Sequence, residues 1–205
     1  MKPGMLMVVS GPAGVGKGTL VKQLMTQRDQ VVLSVSATTR MPRPGETDGV
    51  QYWFKDRQEF ESMIRASQLL EWVEYCGNYY GTPVGHVRSC IAEGKVVILE
   101  IEVEGALNIR KQFPESVLVF VLPPDLAELE ERLKGRGTET PEVIRRRLSR
   151  AEEEFAFLPQ YDYFVINDQV DAASDVMARI VDAEQLRVDR NPEVVERFMR
   201  RTGPQ

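Results

Sequence analysis

MLMVVSGPAGVGKGTLVKQL, residues 5–24, passes from an apolar run through a glycine-rich turn into a helical pattern. Met5 to Ser10 suits a strand covered on both faces, because apolar residues follow one another without alternation. Leu20, Val21 and Leu24 then share one side of a helix. Between them, Gly11-x-x-x-x-Gly16-Lys17 has the spacing of a phosphate-binding loop, in the context such a loop needs: strand before, helix after. Glycines let successive backbone N–H groups turn inward around phosphate oxygens, and the new helix adds its positive end. Lys17 supplies a point charge for the outer phosphates. The candidate nucleotide cradle therefore runs from Gly11 through Pro12, Ala13, Gly14, Val15, Gly16, Lys17 and Gly18 to Thr19.

Further buried strands are expected at Val31 to Val35, Val96 to Ile101, Val117 to Leu122 and Tyr163 to Ile166, with helical segments between most of them. That alternation predicts an α/β protein with a mostly parallel sheet and helices on both faces. Two stretches break it. From about Ser36 to Thr82 the chain turns polar and aromatic, with a short helical piece near Glu59 to Ile64, and predicts a small inserted lobe of short strands and turns. From about Asp125 to Arg150 it is charged, carries GRGTETP between two helical segments, and predicts a mobile flap. After it, Ile144, Leu148, Ala151, Phe155 and Leu158 fall at helical spacing and read as a stripe on the core. Val176, Ile180, Ala183 and Leu186 do the same in the last long helix, and the tail after Asn191 reads as an exposed, fraying helix.

The bulk numbers narrow the function classes. The chain has 205 residues, 42% hydrophobic and 28% charged, enough for one full core. Its formal charge of -5 argues against a broad basic surface for nucleic acid. No apolar run approaches the about 18 residues of a membrane span, and the first run lacks the flanks of a cleaved signal, so a soluble, cytoplasmic protein is expected. Cys76 and Cys90 show no metal or redox spacing and read as reduced, partly buried thiols; His86 reads as a surface or capping residue.

One feature of the loop is specific. The position after the lysine, where most such loops place a magnesium-binding hydroxyl, is Gly18, and the hydroxyl comes at Thr19. Magnesium would then be held mainly by phosphate oxygens and water, with no direct protein ligand. The GKGT ending points towards nucleotide kinases. A GTPase would need a lysine in its guanine reader, and Asn167-Asp168-Gln169-Val170 has none.

SATTRMPRPGETDGVQYWF (36–54), LLEWVEYCGNYYGTP (69–83), VVILEIEVEGA (96–106), ERLKGRGTET (131–140), IRRRLSRAEEE (144–154) and YFVIND (163–168), in that order after the loop, resemble the guanylate kinase family from roughly Met5 to Arg187. The resemblance implies a three-layer P-loop fold in one domain. Its parts are a core at about 1–35, 83–124 and 151–190, a GMP-binding lobe at about 36–82, a lid at about 125–150 and a helical tail at about 191–205. It implies GMP and ATP as substrates, magnesium as the ion, and direct in-line transfer of the γ-phosphoryl group to GMP. It gives no oligomeric state.

The residue chemistry agrees with these roles. A phosphate dianion wants converging donors, above all the planar fork of arginine. Arg40 and Arg43 lie in a turn stiffened by proline and glycine, with Tyr52 and Tyr80 available as hydroxyl donors, and the resemblance assigns all four to the phosphate of GMP. Guanine needs a carboxylate for its N1–H and N2–H and hydroxyl donors for O6; the matching positions are Glu71, with Ser36 and Thr82. Glu100 is placed near the metal waters and acceptor, and Glu102 near the guanine amino group. Both positions are commonly aspartate in the family. Glu104, commonly glutamine there, reads as a solvated helix start.

Arg132, Arg136 and Arg147 match the flap arginines that close over the ATP phosphates, whereas Arg145, Arg146 and Arg150 read as solvated charges balanced by Glu152, Glu153 and Glu154. Asn167 matches the adenine-contacting segment, with a buried turn residue as the other reading. Two further functions compete: another P-loop monophosphate kinase, opposed by Glu71 with Ser36 and Thr82, and a non-catalytic guanylate-kinase-like interaction domain, opposed by the presence of Lys17, Arg40, Arg43 and Glu71.

Overall fold

Alternate side chains of the first strand feed two separate cores. In the computed structural model, which describes residues 2–75, 77–135 and 140–199, β1 (Met5–Ser10) is buried along its whole length. Met5, Met7 and Val9 enter one apolar cluster, and Leu6 and Val8 enter the other. β1 lies at the centre of a five-stranded sheet ordered β2 (Val31–Leu33), β7 (Val96–Glu100), β1, β8 (Val117–Leu122) and β9 (Tyr163–Ile166). All four pairings are parallel. A parallel sheet must be covered on both faces, which is why its strands read as continuous apolar runs.

The covering helices complete three layers. On the Met7 side lie α1 (Lys17–Gln27), α5 (Leu126–Lys134), α6 (Pro141–Phe155) and α7 (Val170–Glu184). On the Leu6 side lie α3 (Val84–Ala92) and α4 (Val103–Gln112). Asp125 and Thr140 accept from backbone N–H groups at the starts of α5 and α6, and Pro141 opens α6 where a missing N–H costs nothing. α6 continues through Arg150, where the sequence reading ended the flap.

Between β2 and α3 the chain builds a second sheet, ordered β4 (Trp53–Phe54), β3 (Ala37–Thr38), β6 (Asn78–Pro83) and β5 (Leu69–Tyr75). β3 pairs parallel with β4 and antiparallel with β6, and β5 and β6 form a hairpin. α2 (Arg57–Arg65), capped by Asp56, seals it by stacking fully buried Phe60 on Tyr79 at 5.3 Å.

Several expectations need correction. β2 ends at Leu33, although Ser34 N–H still donates to the Ile98 carbonyl at 2.8 Å. Leu186 is 79% exposed: α7 stops at Glu184, so helical spacing no longer governs that position. Leu158 likewise follows α6 in a short 3-10 turn. His86 neither caps α3 nor lies free on the surface; its ring meets Trp53 edge-on at 6.2 Å and Cys90 Sγ at 3.9 Å. Cys90 is a free, buried thiol, while Cys76 and residues 200–205 of the tail lie outside the described residues. α8 (Pro192–Met199) buries none of its side chains. No described helix is long and apolar enough to cross a membrane.

The junction of β1 and the loop is the tightest point of the sheet. Gly11 has φ 142°, and a Cβ there would lie 2.3 Å from the Val121 carbonyl oxygen. Gly11→Ala is expected to destabilise the fold by roughly 2–5 kcal/mol through combined backbone strain and overpacking. Urea unfolding followed by circular dichroism would measure it, and a loss below about 1 kcal/mol would show that the strand can shift.

Candidate active site

Three left-handed glycines shape the loop after β1. Gly11, Gly14 and Gly16 have φ of 142°, 97° and 85°, a region costly for residues with a Cβ. Gly16 caps α1 without any side chain bonding to the helix's first N–H groups, which leaves its positive end open to an anion. Lys17 begins α1, and its ammonium donates to the carbonyls of Gly11 and Pro12.

Asn167 lies beneath this loop and is only 3% exposed. Its Nδ2 donates to the Val15 carbonyl at 2.7 Å, and its backbone carbonyl accepts from Arg132 Nη1 at 2.9 Å. A Cβ on Gly16 would come 2.6 Å from that same Nδ2. The Asn167 side chain thus holds the loop through its Nδ2, in buried surroundings. Arg132 also donates to Glu128 at 2.8 Å, which ties α5 to the same point.

The loop opens into a cavity of about 840 Å³, within the range of small-molecule sites. Ala13, Gly14, Gly16, Lys17, Gly18 and Thr19 form one wall, and Ser36, Tyr52, Glu71 and Tyr80 stand on the side of the second sheet. Glu100 and Glu102 come from the end of β7 and the start of α4. Gly11, Pro12 and Val15 lie behind the loop, buried, and shape it without lining the cavity.

Each carboxylate is placed by a neighbour. Thr82, 1% exposed, donates its hydroxyl to Glu71 Oε1 at 2.7 Å. Burial pushes the Glu71 carboxyl above the usual range, and the Thr82 hydrogen bond only partly opposes this. Burial raises Glu100 too, against the pull of Lys17 and Lys22. A Cβ at Gly18 would lie 3.2 and 3.5 Å from the Glu100 carboxylate oxygens, so the glycine makes room for that acid.

The expected phosphate-binding arginines, Arg40 and Arg43, do not themselves line the cavity. Arg40 donates to Glu46 Oε1 at 2.8 Å and to the Met41 carbonyl at 2.7 Å, and sits 5.4 Å over the Tyr52 ring. Tyr52 in turn meets Tyr80 edge-on at 6.0 Å. Glu46 Oε2 accepts the backbone N–H of exposed Arg43 at 2.7 Å. Arg40's hydrogen bond, followed by that of the Arg43 N–H, holds the Glu46 carboxyl below the usual range. Sequence reasoning passed over Glu46; its signal was an acid three residues after an arginine in a proline-rich turn.

On α6, Arg147 is half-buried and does not line the cavity, whereas Arg150 does, together with Glu104 and Asn108. Arg150 and Glu104 are exposed and Arg150 pairs with Glu154 at 3.2 Å, as expected of solvated charges, and both also line the cleft. Arg145 is paired with Glu142 at 3.1 Å on the surface. Arg136 lies outside the described residues.

A left-handed glycine loop at the carboxyl end of a central parallel strand, opening into a carboxylate-lined cleft, places the chain among P-loop nucleotide-binding proteins. The family model described as guanylate kinase matches residues 4–184. The guanylate kinase of Desulfitobacterium hafniense (strain Y51) is 52% identical over 193 residues, 94% of this chain and 96% of that one. That of Halalkalibacterium halodurans is 55% identical over 187 residues, 91% and 92% of the two chains. The crystal structure of guanylate kinase from Anaplasma phagocytophilum matches with a TM-score of 0.70 at 30% identity, covering 92% of this chain and 90% of that one. The chain belongs to the guanylate kinase family.

Asn167→Ala tests the loop support. With the backbone carbonyl that accepts from Arg132 kept, the loss of the side-chain bond to the Val15 carbonyl is expected to cost about 1–3 kcal/mol of stability. It should also raise the KM for ATP several-fold with that for GMP little changed, read by thermal unfolding and steady-state kinetics. A weakened ATP affinity at full stability would instead mark Asn167 as a direct nucleotide contact.

Proposed function

We infer that the protein transfers the γ-phosphoryl group of ATP to the phosphate of GMP, giving ADP and GDP. One observation carries this reading: in a chain of the guanylate kinase family, an open phosphate loop and a Thr82-oriented Glu71 face each other across a single cleft.

The division of labour follows from the chemistry of each group. The loop N–H groups and Lys17 take the ATP phosphates, with the Lys17 ammonium exchanging two loop carbonyls for phosphate oxygens. Arg40 and Arg43 take the phosphate of GMP with the hydroxyls of Tyr52 and Tyr80. Glu46 holds both arginine positions in their turn until the anion arrives. Glu71 accepts from the N1–H and N2–H of guanine, Ser36 donates to O6, Thr82 orients Glu71, and Glu102 accepts from the amino group. Adenine would set its N1 lone pair against the Glu71 carboxylate.

The attacking phosphate oxygen is already anionic, so transfer needs positioning and charge neutralisation, with no general base. Residues 36–82 act as the acceptor lobe and 125–150 as the lid, where Arg132, Arg136 and Arg147 close over the phosphates. Magnesium suits the site through phosphate oxygens and water, with the Glu100 carboxylate beside Gly18 as acceptor for that water. When bound, it offsets phosphate charge during transfer. The substrates are cytoplasmic metabolites, and the reaction fits a cytoplasmic enzyme.

ADP formation measured with GMP, AMP, CMP and UMP at equal concentration should favour GMP by at least about 100-fold. Faster turnover of any other monophosphate would overturn the base assignment. Lys17→Ala should lower kcat by about 10³-fold with GMP binding by calorimetry nearly intact. A pH series adds an independent check. Burial raises the Glu71 carboxyl, and the proposed role needs the carboxylate, so the KM for GMP should climb as pH falls, starting above the range of an ordinary glutamate. Glu71→Gln should have a raised and flat KM over the same range; an unchanged acid limb would assign that titration elsewhere.

A further inference from the structure

We propose that Arg150 is an additional phosphate-contacting residue of the transfer reaction, which exchanges its ion pair with Glu154 for a phosphoryl group. The proposal rests on the functional reading above.

The cleft wall has an unusual charge balance for a site that must hold two polyanions. Glu71, Glu100, Glu102 and Glu104 line it, against Lys17, Lys22 and Arg150. Among the described residues Arg150 is the arginine on that wall. Arg40 is engaged by Glu46, and Arg132 by Glu128 and the Asn167 carbonyl. A planar, permanently charged fork at this position is suited to a phosphoryl group.

The way Arg150 is held supports its release. Its side chain is 68% exposed, and its Nε donates to Glu154 Oε1 at 3.2 Å, one helical turn further along α6. Glu154 is 7% exposed, and its other oxygen, Oε2, is buried without a hydrogen-bond partner. The charges of Glu102 and Lys17 both act on it. Glu154 is thus a buried anchor, and Arg150 is its exposed partner on the cleft wall. An ion pair so exposed on one side is readily exchanged for a stronger anion.

Space for the exchange is present. A second cavity of about 700 Å³ separates α4 from α6, and Glu104, Asn108 and Arg150 line it as well as the cleft. Arg150 therefore stands on the partition between the two. It already lines the cleft that Lys17 and Lys22 line, so the exchange asks only for a change of partner.

The test is steady-state kinetics, with kcat and both KM values, on Arg150→Ala, Arg150→Lys and Arg145→Ala, each checked by thermal unfolding. Arg150→Ala should lower kcat at least about tenfold, because an arginine on the transferring group acts mainly in the transition state. Arg150→Lys, which keeps the charge and loses the fork, should recover part of this. Arg145→Ala, on the same helix but paired on the surface, should stay within twofold of the wild type. Should Arg150→Ala fold poorly, Arg150→Lys carries the test by its kcat alone. Glu154→Gln should shift the KM for ATP in the wild type and leave it unmoved in the Arg150→Ala background; additive effects would show that Glu154 does not act through Arg150. An active wild type in which Arg150→Ala matches Arg145→Ala would overturn the role of Arg150 alone. A wild type with no GMP-dependent ADP formation would overturn the functional reading, and this role with it.

Discussion

The approach of the Gly11 Cα to the Val121 carbonyl is the constraint from which the rest of the site follows. β1 is packed between β7 and β8 and buried on both faces, so the chain leaves it with no lateral room, and only a residue without a Cβ can turn there. The turn carries the backbone N–H groups over the carboxyl ends of the strands, where ligands of open α/β sheets bind. The same ends deliver Glu100 from β7 and Asn167 from β9. One steric requirement at the centre of the sheet therefore collects groups that lie far apart in the chain.

A second regularity is electrostatic. Three of the cations named for phosphate binding hold internal acceptors: Lys17 the loop carbonyls, Arg40 the Glu46 carboxylate, and Arg132 Glu128 with the Asn167 carbonyl. Arg150 follows the same pattern on Glu154. These contacts keep long side chains ordered, and each can be exchanged for a phosphate oxygen. The chain as a whole carries a formal charge of -5, so its affinity for polyanions resides in this cleft and owes nothing to its net charge.

Legibility of the sequence tracked the range of the interaction. The glycine spacing and the continuous apolar strands depend on neighbours within a few residues, and they could be read directly. Leu186 was misplaced because the apolar period continues past Glu184 while the helix does not. Asn167 followed the expected strand, yet only the packing of β9 beside the loop turns its amide under Val15. Glu46 looked like one more polar residue in a turn until its two oxygens were found on Arg40 and Arg43.

By itself, the sequence determined that this is a parallel α/β protein with a phosphate loop, and through its resemblance to a family it named an acceptor pocket around Glu71. Local periodicity and backbone stereochemistry suffice for the first, whereas the second is what the resemblance implies for the matching positions. The tertiary structure alone decided which charges face the cleft. Arg145, Arg147 and Arg150 are indistinguishable as letters in IRRRLSR, but helical phase and the burial of Glu154 send one to the surface, half-bury another and place the third on the cleft wall. Position around a helix fixes direction only once the helix is docked, and the docking of α6 is decided by Ile144 and Ala151 in a core assembled from distant strands.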